Sequence, residues 1–504
     1  MGNFEKIFSL EVNRFFSKIK ILIILLILFF SIFVANEAFN GYKKTLSNIK
    51  NFKELDDAEF KNLQNYNHYS YYGVKSFFVP SPLGILLKTS GTNAELSGRV
   101  DSVVSLNIFI NAKGSALLEG DSTSPFRLSF IILVLGTFSV LFLGYESMRD
   151  KDFIKTLASL LSYKKIFLYI VLLRIILLTL ILLGFFAILL ILIKLNGITL
   201  SNELLVGLSG YFASTWIMII GFFYIGVLIG NIRNKVTSLT VLLSVWFILV
   251  FFLPGCLDSY ISKKSENITS SYKIEFEQLK IVNDFEKRSV KKCGKLNLKN
   301  IEIERKIVEE YFKRYYKKIE SLEKKIENDI SNIARIKRKW AILFPVTLFK
   351  ITGDSASSMD LENLLKFYSF LQELKRRFLR FWLDRVFYND PEELVSFIKG
   401  NENLYYAKSQ LPENFGTGVV INLGYIIILI FISYFRFNKA LFPTQKDANA
   451  FDNINLKFVS GKHMAYKVYK KNFITQLLNV FFGKIKNFSG KITIDETNIV
   501  KTEK

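Results

Sequence analysis

Histidine is nearly missing from this chain: among 504 residues only His68 and His463 occur. Two imidazoles far apart in sequence, with no clustered catalytic set, leave an intramembrane enzyme without support. Cysteine is equally scarce, and Cys256 and Cys293 do not have the spacing of a metal site. The apolar runs lack Asp, Glu and His altogether. Proton-driven carriers usually bury such groups at mid-membrane depth, so the energy for any transport would have to be delivered from outside the bilayer.

Long apolar runs are what the chain has in abundance. Six of them, at about 21–36, 127–144, 166–193, 208–230, 237–255 and 419–435, alternate with polar blocks of very unequal size. At roughly 1.5 Å of rise per helical residue, such runs reach across about 30 Å of hydrocarbon. In lipid only helices satisfy their own backbone along these stretches.

Basic residues set the expected topology. Lys6, Arg14, Lys18 and Lys20, then Arg149, Lys151, Lys155, Lys164 and Lys165, then Arg233 and Lys235, then Arg436 and Lys439 fall on one side if six spans alternate. The positive-inside rule makes that side the cytoplasm and both termini cytoplasmic. The turn from Asn196 to Glu203, on the opposite side, is poor in Lys and Arg. The polar blocks 37–126 and 256–418 are then extracytoplasmic, since long loops translocate largely regardless of charge. Cys256 and Cys293 both fall in the second block, where a disulfide is permitted but not required.

A net charge of +23 would suggest nucleic acid in a soluble chain. Here juxtamembrane lysines facing anionic headgroups and solvated helix faces account for it, and no nucleic-acid partner is expected. The segment before the first span carries Phe4, Ile7, Phe8, Leu10 and Val12 and no clear cleavage site, so 1–20 reads as an amphipathic elbow and 21–36 as an anchor. Arg174 is the clear intramembrane charge. It reads either as a side chain snorkelling to the cytoplasmic interface or as one that pairs helices or touches cargo. Gly210 with Ser214, and Gly226 with Gly230, place small residues four apart and permit close helix approach.

The expected fold class is a mainly α polytopic membrane protein, with six transmembrane helices and two extracytoplasmic domains, the first α+β and the second a helical hairpin. A small α/β cytoplasmic tail, 436–504, completes it. In the first domain Leu46–Gln64 reads as helix and Val100–Ala112 as strands. In the second, Val308, Phe312, Tyr315, Ile319, Leu322 and Ile326 begin a helical stripe that runs to Trp340, partnered by a helix from Met359 to about Phe387. That hairpin is either simple packing or a stalk that grips a partner. Glu309 with Lys313 and Glu310 with Arg314 have the spacing for ion pairs.

Between spans two and three, charges fill the first half of 145–165, and then Phe153, Leu157, Leu160 and Leu161 recur at helical spacing. Chemistry alone makes this a short amphipathic helix at the membrane surface, a connector or a contact site. Its order of residues, Glu146, Arg149 and Lys151, then Thr156, Leu157, Leu160, Leu161 and Ser162, then Lys164 and Lys165, resembles the coupling segment of ABC exporter permeases of the ABC-two superfamily. The span order and the segments Val79–Leu86 and Leu343–Gly353 also resemble the members with large external loops. Membership implies an ATP-driven exporter subunit with no ATPase activity of its own. It would work with ABC ATPase subunits that hold ATP and Mg, a second permease copy or sister permease, membrane lipids and an extracytoplasmic partner. It would sit in the inner (plasma) membrane, and Glu146, Arg149, Lys151, Phe153, Leu157, Leu160, Leu161, Lys164 and Lys165 would be its ATPase-coupling residues. The alternative is a non-transporting scaffold that passes force from the same ATPases to the external arms.

The tail has the order strand, loop, helix, strand, with a strand at Phe488–Asp495, and resembles the opening of an ABC ATPase. Aligned so, its phosphate loop is degenerate: Val468 and Phe473 stand where glycines would approach phosphate, Ile474 replaces the Lys, and only Thr475 keeps the hydroxyl. No cofactor is expected on this chain. The tail is then either an unrelated small domain or a fragment that binds a partner but not nucleotide.

Overall fold

The computed structural model describes residues 2–61, 73–87, 97–100, 127–150, 153–154, 157, 162–232, 234–265, 301–388, 404–441, 490–494 and 497–502, with isolated positions between 276 and 287. The chain is mostly helical and has six helices long and apolar enough to cross a membrane. It divides into two units, Met1–Ser433 and Tyr434–Lys504.

In the first unit α1 (Gly2–Phe15) leads into α2 (Lys18–Lys61). At 44 residues α2 is about 66 Å long, roughly twice the hydrocarbon thickness, so the first span and the helix expected at 46–64 are one rod. The second span is α3 (Leu128–Ile131), a π-helical turn π1 (Ile132–Gly136) and α4 (Thr137–Arg149). The third and fourth are α5 (Tyr163–Leu195) and α6 (Asn202–Gly230). Their turn closes on Gly197, whose φ of +72° suits a residue without Cβ. Ser201 then caps α6 by accepting from Leu204 N at 3.2 Å. The fifth span is α7 (Lys235–Phe247), π2 (Ile248–Phe252) and α8 (Leu253–Ser265), and the sixth is α9 (Phe415–Leu441).

The fourth span is the hub. Gly226 and Gly230 let α4 approach so closely that a Cβ on Gly226 would lie 2.1 Å from Leu141 O, and one on Gly230 would lie 2.4 Å from Tyr145 O. Gly144 returns the fit from α4, where a Cβ would lie 2.1 Å from Phe223 O. The small-residue spacing read from the sequence thus marks backbone-to-backbone contact.

The segment around Pro345 packs against this hub. α10 (Ile301–Leu343) stops because Phe344, preceding a proline, takes extended geometry at φ −130° and ψ 134°. Pro345 then opens α11 (Pro345–Ala356), which runs antiparallel to α6: Pro345 lies by Gly221, Phe349 meets Tyr211 at 5.1 Å between ring centres, and Ala356 lies by Gly207. Asn422 of the sixth span ties the break in place by donating Nδ2 to Ile342 O at 3.0 Å.

A turn through Ser357 and Ser358, the latter at φ +61°, leads to α12 (Leu361–Tyr388), the partner helix expected for α10. Asp360 caps α12: Oδ1 accepts from Asn363 N at 3.1 Å and Oδ2 from Ser355 Oγ at 3.0 Å. Burial pushes its carboxyl above the ordinary range, and these hydrogen bonds oppose the shift. Along α10, Glu320 pairs with Lys324 and reaches Arg376 of α12. Side chains of Glu309 and Arg314 lie outside the described set.

One sheet joins the two large polar blocks. Strand β1 (Val74–Val79) pairs antiparallel with β2 (Ser97–Val100) and parallel with β3 (Leu404–Tyr406). Phe78 of β1 packs with Leu364, Phe367, Leu371, Leu374 and Phe378 of α12, each burial being worth about 1.5–3 kcal/mol. Pro80 and Pro82 end β1 and lead into a short helical turn at Gly84–Leu87, buried at Leu86 and Leu87. Of the strands expected at Val100–Ala112, Val100 ends β2 and 101–112 lie outside the described residues.

In the second unit, β4 (Gly490–Ile494) and β5 (Thr497–Thr502) form an antiparallel hairpin with an irregularity at Ile492/Thr493. β4 falls where the sequence placed a strand. Val468, Phe473, Ile474 and Thr475 lie outside the described residues.

Candidate functional site

The segment after the second span is fastened to the first and third spans by charge. Arg174 sits in the first half of α5, where no water reaches it: its exposure is 0%. The snorkelling reading is therefore replaced by the pairing one. Arg174 Nε donates to Glu11 Oε1 of α1 at 2.5 Å, and Nη1 donates to the backbone oxygen of Leu143 at 2.6 Å. Glu11 is itself fully buried. A lone buried ion costs several kcal/mol, whereas each of these has an opposite charge and a hydrogen bond.

Arg14, one turn further along α1, extends the network. Its Nη1 lies 3.6 Å from Glu11 Oε2 and its Nη2 lies 3.4 Å from Asp150 Oδ2, while Nη2 also donates to Glu146 O at 3.3 Å. The guanidinium covers the Phe153 ring at 4.7 Å. Lys20, from the first turn of α2, closes the ring: Nζ lies 2.7 and 2.8 Å from the two Glu146 oxygens and donates to Arg14 O at 2.8 Å. Three cations meet three carboxylates, so the cluster carries no net charge, the condition under which burial is tolerable.

The coupling residues named from sequence divide here. Glu146 and Phe153 belong to this junction. Arg149 faces the fifth span instead, donating Nη1 to Ser238 Oγ at 2.9 Å and covering Tyr145 at 5.5 Å. Leu157 is buried and Lys165 exposed. Asp150 starts the helical turn by accepting from Phe153 N through Oδ1 at 3.1 Å. Lys151, Leu160, Leu161 and the Lys164 side chain lie outside the described residues.

Sequence reading missed Glu11, Arg14 and Lys20 as parts of this site. The available signal was a single acid flanked by apolar residues in Leu10-Glu11-Val12, matched by a single base inside a span. Nothing local pairs residues 163 positions apart. Among the described residues no group of three or more His, Cys, Asp or Glu is placed to hold a metal.

What the arrangement can do is mechanical. The end of the second span touches α1 through Arg14, α2 through Lys20, α5 through Leu143 and Arg174, and α6 through the glycine contact. No family model, curated relative or solved structure matches the chain.

Proposed function

We propose that this chain is the membrane permease subunit of an ATP-driven exporter, energised by separate ATPase subunits that bind ATP and Mg and press on the segment 145–165. The observation that supports the reading is the junction: the start of the segment that resembles a coupling helix is clamped at Glu146 and Asp150 by Arg14 of α1 and Lys20 of the first span, and the helix leading into it is held to the third span by Arg174 at Leu143 O. In this reading the junction faces the cytoplasm with both termini, in a plasma membrane. The sheet and the α10–α12 hairpin stand outside, and a second permease copy or a sister permease completes the path.

A photocrosslinking side chain at exposed Lys165 tests it in native membranes. Capture of a nucleotide-hydrolysing subunit, whose turnover falls when Glu146 is changed to Lys, is the expected result. Capture of no such subunit refutes the reading. The tail is proposed to be a partner-binding fragment, so deleting 450–504 weakens assembly while Thr475→Ala leaves it intact; the reverse pattern refutes that role.

A second reading, a scaffold that transmits force without moving cargo, is favoured by the lengths of α2 and α10, 44 and 43 residues, which outrun any bilayer. Reconstituted complex that hydrolyses ATP while no candidate cargo crosses, with motion at α10, selects it.

A further inference from the structure

Two membrane helices carry the same irregularity, and residues next to the two irregularities touch. In the second span Thr137 N donates back five residues to Ile132 O, and in the fifth Leu253 N donates back five residues to Ile248 O, the signature of a π turn. Each turn has a local cause. π1 ends on Gly136, a weak helix former, and π2 runs directly into Pro254, which has no N–H for the carbonyl four residues back, and Gly255.

Trp246 joins them. Its Nε1 donates to Thr137 Oγ1 at 3.1 Å, and Thr137 in turn donates to Leu133 O inside π1. The indole meets Phe138 edge-on at 5.3 Å and Phe251, inside π2, at 5.4 Å.

The parts on either side of this level differ in how they are held. Towards the charged junction, α4 is locked to α6 by Gly144, Gly226 and Gly230, clamped by Arg174 at Leu143 O, and joined to α7 through Ser238. Towards the sheet, α3 is held through Ser129, whose Oγ donates to Leu87 O at 2.8 Å and lies 3.0 Å from Tyr211 OH. Phe251 and Phe252 of π2 are exposed, and nothing lies within 4 Å of a Cβ at Gly255.

We infer that π1 and π2, strapped by the Trp246–Thr137 bond, are one hinge shared by two spans, about which the sheet-ward ends of the second and fifth spans turn against a rigid junction-end block. A π turn is one residue more than an α turn, so its interconversion with regular helix re-aims everything beyond it while leaving the glycine-locked half in register. Ser129–Tyr211 is the latch that such a turn has to open. The device belongs to the fold and does not depend on which partner drives it.

The test uses the full chain in lipid nanodiscs, with Cys256 and Cys293 changed to Ser and spin labels at Val236 and Tyr260, both exposed and on opposite sides of π2. The expected result is two interspin distances. Deleting Leu249, inside π2, converts π2 to regular helix and should leave one distance; an unaltered distribution overturns the hinge. Thr137→Val keeps helix register and cuts the strap, and should shift the ratio of the two distances by about fivefold, the ratio for losing one ordinary hydrogen bond. A single distance in the parent chain that Thr137→Val leaves unmoved likewise overturns it.

Discussion

The second and fourth spans have 61% and 67% of their most apolar windows buried in protein, whereas the first, fifth and sixth have 17%. All are apolar enough to cross a membrane, and the two buried spans are only slightly less apolar, with mean hydropathy 2.2 and 2.1 against 2.7, 2.5 and 2.3. Glycine at a backbone contact separates them more sharply. Where Gly144, Gly226 and Gly230 admit a neighbouring backbone, a helix becomes core; where a span has large side chains all round, such as Leu22, Leu25, Phe29 and Phe33 of α2, it is left with most of its surface outward. In a bilayer, where lipid is as apolar as leucine, close packing and not hydrophobicity selects partners.

The most direct way to break this contrast is Gly226→Leu. The added atoms meet backbone, which has nowhere to go, and the expected loss is about 3 kcal/mol or more, read as a lowered Tm or loss of the monodisperse peak in detergent. Gly424→Ala, in open space on the sixth span, should do the opposite and raise stability by up to about 1 kcal/mol. Equal effects at the two sites would sink the packing argument.

Next in size is Arg174→Met, which removes the hydrogen-bonded cation from buried Glu11 and leaves it only Arg14 at 3.6 Å, and should cost about 3 kcal/mol. The pair Glu11→Gln with Arg174→Met should recover a large part of that loss, because no charge is then left alone. A double-mutant cycle in thermal unfolding measures the coupling, and strict additivity would show that the two residues do not interact.

Asp360 sharpens the comparison from the polar side. Its carboxyl titrates above the ordinary range in the folded chain, so the native state holds the proton to higher pH than the unfolded one. The stability it contributes is complete below the unfolded value and is lost as pH rises through the folded value. Stability should therefore fall from about pH 4 upward until that carboxyl is ionised, and Asp360→Asn, which keeps an Oδ1 acceptor for Asn363 N, should flatten the slope. The smallest effect is expected at the exposed pair Lys408–Glu203, 2.8 Å apart. There Lys408→Ala should leave Tm unchanged, as solvent-screened pairs usually do.

The parts of this fold that were readable from sequence were those in which one segment decides its own fate. Six spans, the α10 helix, its α12 partner and the strand at 490–494 follow from apolar length, helical period and alternation. The glycine pairs were legible as permission for contact, although the sequence did not say with what. Illegible were the relations between distant segments: Glu11 with Arg174, β1 with β3, and α11 against α6. Arg174 shows the reason. A long cation near a span end has two good solutions, water or a carboxylate, and only the presence of α1 beside it decides. The π turns were hidden for a different cause, since one extra residue barely disturbs an all-apolar run.

The parallel pairing of β1 with β3 puts a clock on biogenesis. Ser81 and Ser409, just beyond the paired strands, share a hydrogen bond across 328 positions of chain. At about 5–20 residues per second of synthesis, the first strand waits for roughly 15–65 seconds before its mate emerges. Through most of that interval Phe78 lacks the α12 side chains that cover it, and until its end the strand edge lacks its third strand. A ribosome stalled anywhere before residue 404 thus leaves a half-built product with an open strand edge, a natural mark for quality-control proteases or for a chaperone that holds strands apart.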